Sequence, residues 1–163
     1  MNREQKKFSK IYNKYVDSIY RFVFIKVSSG QTAEDLTSEV FLKSWQAFQE
    51  QKINNPKAYL YKVARNLVID FYRERGQTTI VSIEQEEIIL QSEEDLEQKE
   101  SQESDFRKIQ KALKQLNPDY QDIVIMRHIE GLSIKDIAKV LNKSKGATRV
   151  MLHRAMEQLK EKV

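Results

Sequence analysis

The stretch Ser133–Met156, SIKDIAKVLNKSKGATRVMLHRAM, limits what this chain can fold into more than any other. It reads as two short helices joined by a tight turn, the second with a basic face. Ser133 fits the N-cap position, and Ile134, Ile137, Ala138 and Leu141 recur at helical spacing. Asn142 suits the left-handed residue that ends the first helix, because its short side chain bonds locally. Ser144 caps the second helix, whose inward stripe is Leu152, Ala155, Met156 and Leu159. Small Ala138 lets the two helices approach closely. At about 100° per residue, Gly146, Arg149, Val150, His153 and Arg154 fall within an arc of roughly 140° opposite that stripe. A helix-turn-helix lays its second helix in the major groove, where Arg reaches guanine edges or phosphates. A plain helical hairpin with a solvated basic face accounts for the same spacing. The caps, the small residue and the turn taken together favour DNA reading.

The 163 residues have room for one domain or two small ones. Four Gly and two Pro beside 32% charged residues argue for helices rather than a sandwich or barrel. The expected fold class is all-α: two small helical domains joined by an acidic linker, the C-terminal one containing the helix-turn-helix. The absence of cysteine excludes a disulfide framework and Cys-ligated zinc, which fits a reducing cytoplasm. The opening MNREQKKFSK lacks the apolar centre of a signal peptide, and no apolar run approaches the length of a membrane span. A cytoplasmic protein with no direct membrane insertion is expected. His128 and His153 are the only histidines, and no nucleophile elbow, phosphate loop or metal-ligand spacing occurs. Neither an enzyme, a cofactor nor a metal is expected.

Charge divides the chain into three. Residues 1–76 carry 14 Lys+Arg and 8 Asp+Glu, net +6; residues 77–105 carry one basic and ten acidic residues, net −9; residues 106–163 carry 13 and 6, net +7. Two basic lobes around an acidic strap suggest two nucleic-acid-facing modules and a connector that avoids DNA, although acidic linkers also serve solubility alone. The expected domains are therefore 1–76 and 106–163, with 77–105 as linker.

In the first lobe, Phe8, Ile11, Tyr12, Tyr15, Ile19, Phe22 and Val23 predict a helix over about Arg3–Val27, ended by Ser28-Ser29-Gly30. Its Tyr-rich stripe reads as core rather than a base-stacking platform. A second helix is predicted from Thr32 to about Gln49, with Asp35 as capping-box partner and Leu36, Val40, Phe41 and Phe48 inward. Asp35 and Glu39 share its outer face, with Lys43 one turn on. No further ligand stands at a usable spacing, so docking or mere solvation suits them better than catalysis. Asn55 caps a third helix, about Pro56–Arg75, with Pro56 at its first position. It is expected to bury Leu60, Val63, Ala64, Leu67 and Phe71 and to expose Tyr59, Lys62, Arg65, Asn66, Ile69, Tyr72 and Arg73. Rings interleaved with cations suit opened nucleic acid, since bases stack on the rings while cations meet phosphates. Ile80-Val81-Ser82-Ile83 and Ile88-Ile89-Leu90 in the strap are too apolar for pure disorder and predict local packing. The second lobe opens with a helix carrying Ile109, Ala112, Leu113 and Leu116. An Asn117-capped helix with Tyr120, Ile123, Val124 and Met126 follows, ending at Gly131.

The blocks AEDLTSEVFLKSW and AYLYKVARNLVIDFYRER, then a linker, then LNPDYQDIVIMRHIEGLSIKDIAKVLNKSKGATRVMLHRAMEQLKE, resemble the extracytoplasmic-function (ECF) group of sigma-70 family bacterial RNA polymerase sigma factors. The resemblance covers nearly all of the chain outside the strap. It implies a first domain that binds the beta-prime coiled coil of core RNA polymerase and opens the minus-ten promoter element. It implies a second domain that binds the minus-thirty-five element and the beta flap. By this resemblance Asp35, Leu36, Glu39, Val40 and Phe41 match the core-polymerase-binding segment. Lys62, Arg65, Asn66 and Arg73 match the minus-ten-reading helix. The loop before it, with Lys52, Asn54, Asn55 and Lys57, matches the stretch that captures a flipped base. Lys145, Gly146, Thr148, Arg149, His153 and Arg154 match the minus-thirty-five recognition helix. The group is commonly held inactive by an anti-sigma factor, which the resemblance adds as an expected partner beside promoter DNA and core polymerase. Met151 departs from the pattern, standing where the family usually has Arg.

Overall fold

The computed structural model describes residues 1–76 and 101–163, with side chains in the second span from residue 105. The apolar runs of the strap lie outside the described residues. Seven helices are described: α1 (Arg3–Val27), α2 (Gly30–Glu50), α3 (Pro56–Glu74), α4 (Ser101–Lys114), α5 (Pro118–Val124), α6 (Ile134–Leu141) and α7 (Lys145–Lys162). The all-α expectation holds. No described helix is long and apolar enough to cross a membrane, and no described group of three or more His, Cys, Asp or Glu is placed to hold a metal ion.

Local chemistry sets the helix ends. Asn2 and Gln5 form a reciprocal capping box on α1, at 2.8 and 2.9 Å. Ser28 ends α1 in the left-handed conformation at φ 58°, and Ser29 Oγ accepts from Thr32 N to start α2. The second helix therefore begins at Gly30, earlier than Thr32, because Ser29 rather than Thr32 supplies the cap. Ser28 tolerates this backbone in part through contacts from the other lobe: its buried hydroxyl accepts from Gln110 Nε2 at 3.2 Å and from Lys114 Nζ. Asn55 caps α3 through Ala58 N at 3.1 Å, with Pro56 at its first position.

Helices α1, α2 and α3 pack mutually around Ile19, Phe22, Val23, Val40, Leu60 and Ala64, none of which retains exposure. Phe22 meets the Tyr61 ring edge-on at 5.6 Å. Burying such a side chain contributes about 1.5–3 kcal/mol, and Leu60→Ala is expected to cost about 2–5 kcal/mol.

In the second lobe α4 begins at Ser101, inside the stretch read as linker. Asn117 caps α5 through Tyr120 N at 2.9 Å. The chain runs on from α5 into a π-helical turn, Ile125–Ile129, with Gly131 at φ 72° beyond it. Helices α5, α6 and α7 pack around Ile123, Met126, Ile137 and Ala155.

The lobes do not stand apart. Helix α6 lies against α3, and the buried apolar residues of both lobes form one continuous core. Burial on α3 is accordingly wider than one amphipathic stripe. Tyr61, Val68 and Tyr72 are buried along with Leu60, Ala64 and Leu67, while Val63 and Phe71 are only partly covered. Tyr72, expected outside, donates its hydroxyl proton to Lys26 O at 2.7 Å.

Candidate polymerase- and DNA-binding surfaces

The helix-turn-helix forms as its sequence requires. Ser133 Oγ accepts from Asp136 N at 3.1 Å to open α6, and Asn142 closes it in the left-handed region at φ 55° and ψ 49°. Ser144 Oγ then accepts from Ala147 N at 3.1 Å to open α7. Ala155 is sealed inside, with Leu152, Met156 and Leu159 partly buried around it. Lys145, Gly146, Arg149, Val150, His153 and Arg154 are exposed. His153 Nε2 stands 2.9 Å from Glu157 Oε1 one turn on.

Thr148 does not share this face. It is fully buried, and its hydroxyl donates to Ser144 O at 2.8 Å. At about 100° per residue it falls outside the exposed arc, so it turns inward and braces the first turn instead. Met151 is half-buried against the core. Val150 is half exposed among the cations, an apolar residue on the reading face.

On α2, Asp35 and Glu39 are exposed, and Glu39 lies 4.0 Å from Lys43. Val40 and Phe41 point the other way. Val40 is fully enclosed, and Phe41 meets the rings of Tyr12 and Phe8 at 4.9 and 6.4 Å. They anchor the helix and offer no side chain to a partner, since the face bearing Asp35 and Glu39 lies opposite the core. Leu36 is intermediate. Leu42, 60% exposed, stands two turns beyond Asp35 on the outer face and was missed by sequence reasoning. Its signal was present as an apolar residue at the i+7 position of an acidic stripe.

Around α3 the expected residues separate into two groups. Lys62, Asn66 and Arg73 are exposed along one side, with Lys52 and Asn54 exposed in the preceding loop. Asn55, Lys57 and Arg65 turn toward the second lobe. Asn55 Nδ2 donates to Asp136 Oδ1 at 2.8 Å, and Lys57 Nζ lies 3.8 Å from Asp136 Oδ2. Arg65 Nε donates to Asp122 Oδ2 at 2.7 Å while its Nη2 pairs with Asp119. Beside the loop opens a cleft of about 470 Å³ whose walls include Lys7, Phe8, Trp45, Phe48 and Lys52. Phe8 packs against Trp45 and Phe48 at 5.2 and 5.3 Å between centroids. Two lysines and one carboxylate, Glu4, share the walls with the rings, and the rings suit an unstacked base. Phe8 on α1 meets Trp45 and Phe48, one turn apart on α2, only through the packing of the two helices.

Fold and surfaces define an all-helical, two-module protein with a helix-turn-helix at its C-terminal end. The model for Sigma-70 region 2 matches residues 11–78, and that for Sigma-70, region 4 matches residues 106–159. The chain is 30% identical over 161 residues to the ECF RNA polymerase sigma factor BldN of Streptomyces coelicolor, covering 93% of this chain and 58% of that protein. It is 27% identical to the ECF RNA polymerase sigma factor SigX of Bacillus subtilis, covering 94% and 82%. The sigma factor RpoE in complex with the anti-sigma factor NepR from Bartonella quintana shares the fold, with a TM-score of 0.72, 22% identity and 96% of each chain covered. The chain belongs to the ECF group of the sigma-70 family. It spans less than two thirds of the BldN protein's length.

Proposed function

We propose that this chain is a cytoplasmic sigma factor that binds core RNA polymerase and directs promoter-specific initiation. In this reading the outer face of α2, with Asp35, Glu39 and Leu42, docks on the beta-prime coiled coil. Its carboxylates meet basic residues there, and Leu42 adds an apolar contact. Lys62, Asn66 and Arg73 follow the strand opened at the minus-ten element, and the cleft beside Lys52 takes an extruded base. Helix α7 enters the major groove of the minus-thirty-five element, with Lys145 and Gly146 near the backbone and Arg149, His153 and Arg154 over the bases. The second lobe also meets the beta flap. The chain supplies binding energy and no catalytic step of its own, and it needs no cofactor. An anti-sigma factor is the expected regulator, in keeping with the partner named for the RpoE neighbour.

The observation that carries this reading is the exposed Arg149–Arg154 face on a helix capped by Ser144, in a chain that also holds the region 2 fold. The test is reconstitution of purified chain with core polymerase on a promoter library. Transcripts that start from a shared pair of elements are expected; no complex and no chain-dependent transcript would end the idea.

A further inference from the structure

Two residues on the exposed arc of α7 do nothing for the helix that carries them. Val150 is 50% exposed and stands outside the core, and a branched side chain is a poor choice for a solvated helix surface. Gly146, one turn before it, lies within α7 and has no positive φ, and a Cβ built there would meet nothing within 4 Å. Neither a turn nor a close neighbour in the fold calls for glycine, which suits a helix less well than alanine. Residues that break a local rule with no gain to the fold mark a surface shaped for another purpose.

Lys145, Arg149, His153 and Arg154 flank the two, all exposed. At about 100° per residue Gly146 and Val150 lie about 40° apart, near the middle of the arc rather than at its margin. Side chains on a helix lean toward its N-terminal end, so the Val150 methyls lie over the turn that Gly146 leaves bare. The result is a small apolar seat among cations. The cations call for an anionic partner, and the valine adds a demand that phosphate cannot meet. On the major-groove edge of duplex DNA the one methyl group is the 5-methyl of thymine; the groups that distinguish the other bases are hydrogen-bond donors and acceptors.

Resting on the sigma-factor reading of α7, we propose that Val150 is a specificity-determining residue that receives the 5-methyl of one thymine in the minus-thirty-five element. Gly146 makes the contact possible. With no side chain there, the first turn of α7 settles against the DNA backbone and brings Val150 down to the base edges. Valine's χ1 is stiff, so little freedom is lost when its two methyls meet the thymine.

The test uses holoenzyme assembled from the full chain and core polymerase, on a promoter taken from the library. Each thymine of the minus-thirty-five element, on either strand, is replaced singly by deoxyuracil, which lacks only the 5-methyl. Promoter affinity is read by competition. For the wild type one replacement should weaken binding about fourfold, the worth of roughly one buried methyl, and the others should change it little. Val150→Ala should lose about as much on the thymine promoter and pay nothing further for that deoxyuracil. A wild type indifferent to every replacement would overturn the proposal. So would a penalty that Val150→Ala still pays in full, since another residue would then hold the methyl. A Val150→Ala loss confined to affinity for core polymerase would assign the valine to a protein contact and overturn it too.

Gly146→Ala should melt at or above the wild-type temperature and yet bind the promoter more weakly, with unchanged affinity for core polymerase. A Gly146→Ala chain that binds the promoter as wild type does would overturn the close approach. If no protein gives a chain-dependent transcript, the sigma-factor reading falls and takes the seat with it. Transcripts from a promoter blind to its thymine methyls leave that reading standing and remove the seat alone.

Discussion

Lys26 Nζ lies 2.6 Å from Asp122 Oδ1, in a pair that joins the two lobes with side chains only 4% and 1% exposed. Asp122 turns its other oxygen to Arg65, and Lys26 Nζ also lies 3.3 Å from Gln121 Oε1. One carboxylate thus serves two cations from different helices of the first lobe. Taking it away leaves buried Lys26 with no carboxylate, only the Gln121 amide oxygen, and Arg65 with only half-exposed Asp119.

Asp122→Ala is therefore expected to destabilise the chain by about 3–5 kcal/mol, the usual result of leaving a buried charge unpaired. Asp119→Ala removes a partner that is half exposed, and should cost under about 1 kcal/mol. Urea denaturation of the two variants tests the contrast. Equal losses would show that the buried pair carries no special weight.

The turn of the helix-turn-helix depends on Asn142 at φ 55°. Asn142→Gly should be tolerated, whereas Asn142→Val places a branched side chain in the left-handed region at a cost of about 1–2 kcal/mol. Thermal midpoints of the two variants, compared with wild type, measure it.

Arg149→Ala should weaken use of a cognate promoter by roughly tenfold to a hundredfold, corresponding to about 1–3 kcal/mol for a good base contact. Thr148→Ser keeps the hydroxyl that bonds Ser144 O and should leave promoter choice unchanged. Competitive transcription from paired templates reads both; an unaltered Arg149→Ala profile would remove that residue from the reading face.

Glu39→Lys reverses an exposed charge on α2 and should reduce assembly with core polymerase while leaving the helical content intact. Val40→Lys should instead unfold the first lobe, because Val40 lies in its core. Equal core affinity for Glu39→Lys and wild type would rule out the acidic face as the docking surface.

Burial pushes the Tyr61 phenol far above its usual range, and the neighbouring Glu130 carboxylate adds to the rise. A group raised on folding contributes stability that is fully present below its unfolded pKa, about 10 for tyrosine, and is lost as pH climbs beyond it. Stability of the wild type should fall above about pH 10, and Tyr61→Phe should fall less steeply over that range. Urea midpoints at a series of alkaline pH values provide the comparison.

Much of the fold was legible because its determinants are local. Ser133, Asn142 and Ser144 act on backbone groups within a few residues, so their roles follow from position in the chain. The same holds for Asn55 with Pro56 and for Asn117 with Pro118. The start of α2 was misplaced because Ser29 and Thr32 are both good caps, and the choice between them rests on the bend at Ser28, which the other lobe supports. Helical spacing already turned Val40 and Phe41 inward, whereas the inward turn of Thr148 was hidden by a family pattern that names segments rather than faces.

By itself the sequence determined the helices, the caps of α3, α5, α6 and α7, the order of the two modules and the cationic arc of α7, since each depends on spacing along one segment. Only the tertiary structure decided that Arg65 and Lys57 face carboxylates, that Phe8, Trp45 and Phe48 share a cleft, and that the lobes meet. Charge tallies show two basic lobes that ought to repel, but repulsion summed over a whole lobe is screened. A few carboxylates brought within 2.6 to 3.8 Å of cations between the lobes outweigh it.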